Sequence, residues 1–151
     1  MSASAFTLRR YQAADEDAAI ELWRRTWQAA YPDIDFTQRL SWWRARWCGE
    51  LVPQAAIVIA ESDGTLAGYV TVDPRHGYLD QIVVAPEFWG GAIAATLLDE
   101  AKRISPTRLD LHVNKDNRRA IRFYQKHGFA LAGDDVNPVS GKPVDKMSWR
   151  P

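Results

Sequence analysis

Cysteine is nearly absent: Cys48 is the only one in 151 residues. That excludes an internal disulfide and a Cys-x-x-Cys metal site. The three histidines, His76, His112 and His127, are dispersed, so no metal is expected. There is no excess of either charge, with nineteen basic residues against nineteen acidic ones. Such a chain carries no footprint for duplex DNA or an anionic membrane. No apolar run is long enough to span a bilayer, and residues 1–10 lack the apolar core of a signal peptide. A cytoplasmic protein is therefore expected. No repeat, linker or low-complexity tract divides the sequence. Its length suits a single domain over residues 1–151.

Aromatic residues are what the chain has in excess. Five of its seven tryptophans, Trp23, Trp27, Trp42, Trp43 and Trp47, lie in the first third. Residues 15–30 read as a helix, with Ile20, Trp23, Trp27 and Tyr31 at three- and four-residue steps. Acidic residues crowd its start and Pro32 ends it. Residues 36–48 read as a second helix, capped by Thr37 or Asp35, with Phe36, Leu40, Trp43 and Trp47 on one stripe. Packing is thus the default role of Trp23, Trp27, Trp43 and Trp47. Trp42 is out of phase and is a candidate to line a pocket.

Strands are expected over residues 6–11, 55–61, 65–72, 78–84, 108–113, 129–133 and 146–149. Ser62-Asp63-Gly64 signals a hairpin. Further helices are expected over 92–104 and 117–127, the second stopped by Gly128. The order β-α-α-β-β-β-α-β-α-β-β predicts an α/β (α+β) fold, a mixed sheet covered by helices on both faces.

The sharpest local feature follows the strand Ile82-Val83-Val84. Ala85-Pro86 leads through Trp89, Gly90, Gly91 and Ala92 into a helix beginning Ile93-Ala94. Unpaired N–H groups at a helix start bind phosphate, and small residues let a ligand approach the backbone. This is neither the three-glycine dinucleotide pattern nor a P-loop.

A second segment, Leu109 through Phe129, places Asn117, Ala120, Phe123, Tyr124, Gly128 and Phe129 at a distinctive spacing. It resembles the Gcn5-related N-acetyltransferase (GNAT) family. The preceding Val-x-Pro run with its glycines resembles that family's acyl-CoA pyrophosphate loop. The likeness is strong from about Leu79 to Trp149 and topological before that, and it implies a mostly antiparallel sheet. The loop departs from the usual Gln/Arg-x-x-Gly-x-Gly/Ala: Trp89 takes the first place and Ala92 the fourth. Trp89 can still donate its amide. If the backbone at Ala92 needs φ > 0, its methyl costs on the order of 1 kcal/mol.

The resemblance implies direct acyl transfer from acetyl-CoA to an amine. Tyr124 stands at the family's general-acid position, and a protonated phenol can donate to a departing thiolate. Two bases stand open. Asp80, in phase with Ile82 and Val84 on the strand, would act through a water. His112, opposite the Leu109/Leu111/Val113 face, has a side chain suited to amine deprotonation. A backbone N–H of Ile82, Val83 or Val84 would stabilise the oxyanion, and this strand would pair with the pantetheine arm. Trp89, Gly90, Gly91, Ala92, Ile93 and Ala94 would meet the pyrophosphate. Asn117 would hydrogen-bond pantetheine, cap its helix, or both. Lys126, Arg118 or Arg122 could meet CoA phosphates, though solvated helix-face charge is the default reading of each.

Rival readings are weaker. Cys48 would permit an acyl-cysteine route, but no His or Asp is near it in sequence, and an inert, partly buried thiol is expected. Arg39, Arg44 and Arg46 beside tryptophans would suit single-stranded nucleic acid, yet the neutral charge and the packing phase argue against it. A noncatalytic acyl-CoA-binding regulatory module is the alternative that Trp89 and Ala92 motivate. The amine is unspecified, and a homodimer is left open.

Overall fold

The structure is a computed structural model and describes residues 5–151. The signal-peptide reading of residues 1–10 falls in part on residues 1–4, outside the described residues. The elements are β1 (Thr7–Arg10), α1 (Glu16–Ala30), α2 (Leu40–Arg46), α3 (Val52–Gln54), β2 (Ala56–Ser62), β3 (Thr65–Asp73), β4 (Tyr78–Val84), α4 (Ile93–Ile104), β5 (Leu109–Asn114), α5 (Arg118–Lys126), β6 (Ala130–Val136) and β7 (Pro143–Trp149). The expected order holds, with the single turn α3 added. No described helix is long and apolar enough to cross a membrane.

One seven-stranded sheet runs β1-β2-β3-β4-β5-β7-β6. Every neighbouring pair is antiparallel except β4 and β5, which are parallel and meet only at Tyr78↔Asp110. Beyond that pair the two strands part, and the sheet forks. β2 and β3 turn through Asp63 (φ 51°) and Gly64 (φ 78°), the left-handed pair that a two-residue hairpin requires.

Two cores lie on opposite faces. α4 and α5 bury Ile93, Leu97, Leu98, Ala101 and Tyr124 against Val70, Val72, Leu109, Leu111 and Met147. α4 lies so close to β3 that a Cβ on Gly68 would come within 3.3 Å of both Ile93 and Leu97. The other face packs α1 and α2 on β2–β4 through Trp23, Phe36, Trp43, Trp47, Ile59, Tyr69 and Val83. Trp23 and Trp43 stack at 4.6 Å and 10°. Burying an aromatic ring of this size stabilises by roughly 1.5–3 kcal/mol. Trp27 is only half-buried.

The second helix departs from expectation. It opens as a 3-10 turn, Phe36–Arg39, capped by Asp35, whose carboxylate accepts from the Thr37 amide at 3.0 Å. It does not end at Cys48-Gly49. Gly49 keeps negative φ, so it supplies no left-handed stop. A π turn, Trp47–Leu51, carries the helix on into α3 and keeps Trp43, Trp47 and Leu51 buried.

β4 holds a bulge. Thr71 pairs with Gln81 and Val72 with Leu79, leaving Asp80 as the extra residue. The expected phase of Asp80 with Ile82 and Val84 is therefore broken. Ile82 and Val84 pack toward α4 and α5, while Asp80 turns to the α2 side.

Candidate active site

The fork between β4 and β5 opens into a cleft of about 1050 Å³. Tyr78, Asp80, Ile82, Val84, His112, Asn117 and Tyr124 line it, with the Trp89–Gly91 loop at its mouth. Among the described residues no three His, Cys, Asp or Glu side chains gather to hold a metal ion.

Backbone groups form the β4 wall. The Ala85 amide bonds Ala67 O at 2.8 Å, and Tyr69 stands opposite Val83. Alternation therefore commits the polar backbone of Val83 to β3 and turns that of Ile82 and Val84 toward the fork. Val83 also buries its side chain against α1 and α2. Of the three strand residues expected to face a ligand, the backbones of Ile82 and Val84 do so and that of Val83 does not.

At the mouth, Gly90 takes φ 84°, a conformation open to glycine at little cost. Ala92 sits at φ −88°, ψ −8° as the N-cap of α4, so the strain expected if this position needed φ > 0 is absent. The Trp89 amide closes a turn on Pro86 O at 3.2 Å and is not free to meet a ligand, contrary to expectation. Gly91 likewise bonds Phe88 O at 3.3 Å. The first amide of α4 paired within the helix is that of Thr96, on Ala92 O, so those of Ala92, Ile93 and Ala94 are left for an anion. The indole of Trp89 donates to Val84 O at 2.7 Å.

Side chains form the base of the fork. Asp80 is held in a bidentate pair by Arg46, at 2.8 and 2.5 Å, and its side chain is 13% exposed. The Arg46 guanidinium lies 5.5 Å from the Trp43 ring centre. His112 sits across the fork. The Tyr78 hydroxyl is 2.7 Å from His112 Nδ1, and Asp135 Oδ2 is 3.6 Å from Nε2. Burial raises the Tyr78 phenol, so it keeps its proton; with the neutral ring protonated at Nε2, toward Asp135, the hydroxyl donates to Nδ1. Tyr124 is 6% exposed and packs on Phe123 and Phe129, each at 5.4 Å. Burial raises its phenol too, and its hydroxyl makes no hydrogen bond to another described residue. Asn117 Oδ1 accepts from the Ala120 amide at 3.2 Å, which realises the helix-cap role.

A strap crosses the opposite lip. The Tyr31 hydroxyl donates to Asp116 at 2.8 Å and accepts from Asn114 at 3.0 Å. Lys142 pairs with Asp116 and lies 4.7 Å over the Tyr31 ring. Burial pushes the Tyr31 phenol up to about 12. Trp42, 41% exposed, and half-buried Trp27 line the same side.

Cys48 lies elsewhere. It is exposed rather than partly buried, 3.3 Å from Glu16 Oε1, which raises its thiol and opposes thiolate formation.

Tyr78, Asp135, Tyr31 and Arg46 join the site only through folding. Asp135, in a fully exposed strand, carried no sequence signal. Tyr78 was legible only as the first residue of its strand.

A forked sheet with an unpaired edge on one side, free helix amides at its mouth and a protonated phenol at its base suits transfer of an acyl group from coenzyme A. Residues 16–129 match the acetyltransferase (GNAT) family, and the chain belongs to that family. It is an N-acetyltransferase that takes acetyl from acetyl-CoA to an amine. The chain is 26% identical over 142 residues to peptidyl-lysine N-acetyltransferase YjaB of Salmonella typhimurium, covering 93% of this chain and 94% of that protein. It is 29% identical over 147 residues to peptidyl-lysine N-acetyltransferase YiaC of Escherichia coli, covering 94% and 95%. PaiA N-acetyltransferase of Thermoplasma acidophilum, solved with coenzyme A, shares the fold at TM-score 0.77 and 22% identity, over 97% of this chain and 99% of that one.

Proposed function

We propose that this chain is a single-domain acetyltransferase that modifies lysine side chains of proteins, with Tyr124 as general acid and His112 as general base. The observation that carries the reading is the base of the fork. There, an unpartnered phenol and an imidazole bonded to a second phenol line one cleft.

Bound acetyl-CoA supplies the thioester carbonyl to be attacked and the thiolate that leaves. The open-edge backbone of Ile82 and the Val84 amide pair with the pantetheine arm, the Val84 carbonyl being held by Trp89, and an amide on that edge steadies negative charge on the thioester oxygen. Gly90, Ala92, Ile93 and Ala94 face the pyrophosphate, with the positive end of α4 behind them. The fit rests on the free amides, the unpaired strand edge and the size of the cleft.

The proton path runs through the β5 side. An amine proton passes to the Tyr78 oxygen as the Tyr78 hydroxyl passes its own to His112 Nδ1. Asp135 balances the charged ring. Tyr124 gives its proton to the thiolate and is reprotonated from solvent. Asp80, with both oxygens on Arg46, orients α2 against β4 and takes no proton.

The acceptor class is supported by the two relatives, both peptidyl-lysine acetyltransferases at nearly full coverage. The lip lined by Trp27 and Trp42 suits the apolar stem of a lysine, and aromatic faces favour its ammonium. Incubation with acetyl-CoA and a panel of lysine peptides, read by mass spectrometry, should place acetyl on Nε. Acetyl only on peptide N-termini or small amines would contradict the lysine assignment.

A further inference from the structure

The loop proposed to meet the pyrophosphate has no cation of its own. Between residues 85 and 95 the only charged side chain is Glu87, and it is paired with Arg25 at 2.6 Å. Backbone amides and a helix dipole are partial charges, and a diphosphate calls for more. The nearest source is on the other wall. Arg119, in the first turn of α5, places its guanidinium 5.1 Å from the centre of the Trp89 ring. It lines the cleft together with Gly90, Gly91 and Ala94. No described carboxylate pairs with it.

Trp89 is well placed to hold that arginine. Its indole N–H is fixed on Val84 O at 2.7 Å, so the ring stands at the mouth rather than swinging free. A ring anchored at its N–H presents its face to a cation, and guanidinium prefers that arrangement. A continuous chain then runs from the β4 edge through the indole to a guanidinium on α5, bridging both walls.

We propose that Arg119, positioned on the face of Trp89, supplies the positive charge for the acyl-CoA pyrophosphate that the Gly90–Ala92 loop lacks. Trp89 is the positioning residue and Arg119 the binding residue. This rests on the acyl-CoA placement given above. Arg122 and Lys126 line the same cleft one and two turns further along α5. They are the natural comparison, being too far along the helix to share the indole.

The experiment is calorimetric titration of the full chain with three ligands: CoA, 3′-dephospho-CoA and pantetheine. Arg119→Gln should weaken CoA and 3′-dephospho-CoA alike, each about tenfold, or about 1.4 kcal/mol. Pantetheine, which has no phosphate, should bind the variant as it binds the wild type. Trp89→Ala should reproduce the loss, and the double variant should be no weaker than Arg119→Gln alone. Trp89→Phe, which keeps a ring face, should recover part of it, and this guards against simple loop collapse. Unchanged CoA affinity in Arg119→Gln would overturn the proposal, as would a loss confined to CoA, which assigns Arg119 to the 3′-phosphate. Failure of the wild type to bind any of the three would instead remove the acyl-CoA placement itself.

Discussion

The two parallel strands that flank the cleft each carry one candidate base, and their surroundings differ. Asp80 on β4 has both oxygens on the Arg46 guanidinium and is 13% exposed on its side chain. His112 on β5 shares one hydrogen bond with Tyr78 and keeps its other nitrogen 3.6 Å from a carboxylate. A carboxylate with both oxygens on a bidentate arginine presents neither oxygen freely to an incoming amine. An imidazole with a phenol on one nitrogen and an anion near the other is placed to take one. In the proposed mechanism the β4 wall holds and orients, and the β5 wall exchanges protons. The fork makes this division. The β4 side is buried under α1 and α2, while the β5 side is left open on that face.

The division can be broken first at its structural half. Asp80→Ala leaves Arg46 with Glu50 alone, on Nε at 3.1 Å, and should cost about 2 kcal/mol of stability, read by chemical denaturation. An unfolding midpoint unchanged in that variant would remove the orienting role. Next in size, His112→Gln should lower kcat about a hundredfold, with little change in melting temperature. The reverse pattern, a large loss of stability with kcat kept, would exchange the two walls.

A smaller effect concerns the acid. Burial raises the Tyr124 phenol above its ordinary value near 10. A raised acid keeps its proton as pH climbs, so the alkaline loss of kcat from this group lies above pH 10. An alkaline fall already complete by about pH 9, and abolished in Tyr124→Phe, would contradict that burial. Smallest of all, Cys48→Ser should leave kcat within about twofold and stability within about 0.5 kcal/mol, because the thiol is exposed and off the cleft.

Local signals in the sequence were reliable where the structure is local. β4 occupies its expected span, Tyr78–Val84, and Asn117 caps α5 as its position implied. Gly128 closes α5 at φ 93°. What escaped was set by distance along the chain or by a single inserted residue. A period-two pattern cannot reveal that Asp80 is the extra residue of a bulge, since the apolar alternation around it reads the same. Arg46 lies 34 residues before Asp80, and nothing in either segment names the other. The second helix was expected to end at Cys48, but Gly49 keeps negative φ and a π turn carries the helix on. Trp89 stood out as a departure from a loop pattern, and its meaning depended on Arg119, which a different helix delivers.

The proposed mechanism turns on acetyl transfer at the base of the fork, with Tyr124 protonating the leaving thiolate. Steady-state kinetics of Tyr124→Phe, set beside its calorimetric affinity for CoA, test it most directly. With Tyr124 as the acid, the variant's kcat falls about a hundredfold while its CoA affinity stays within about twofold of wild type. A kcat within about threefold of wild type, or a loss of CoA binding as large as the loss of rate, would contradict it.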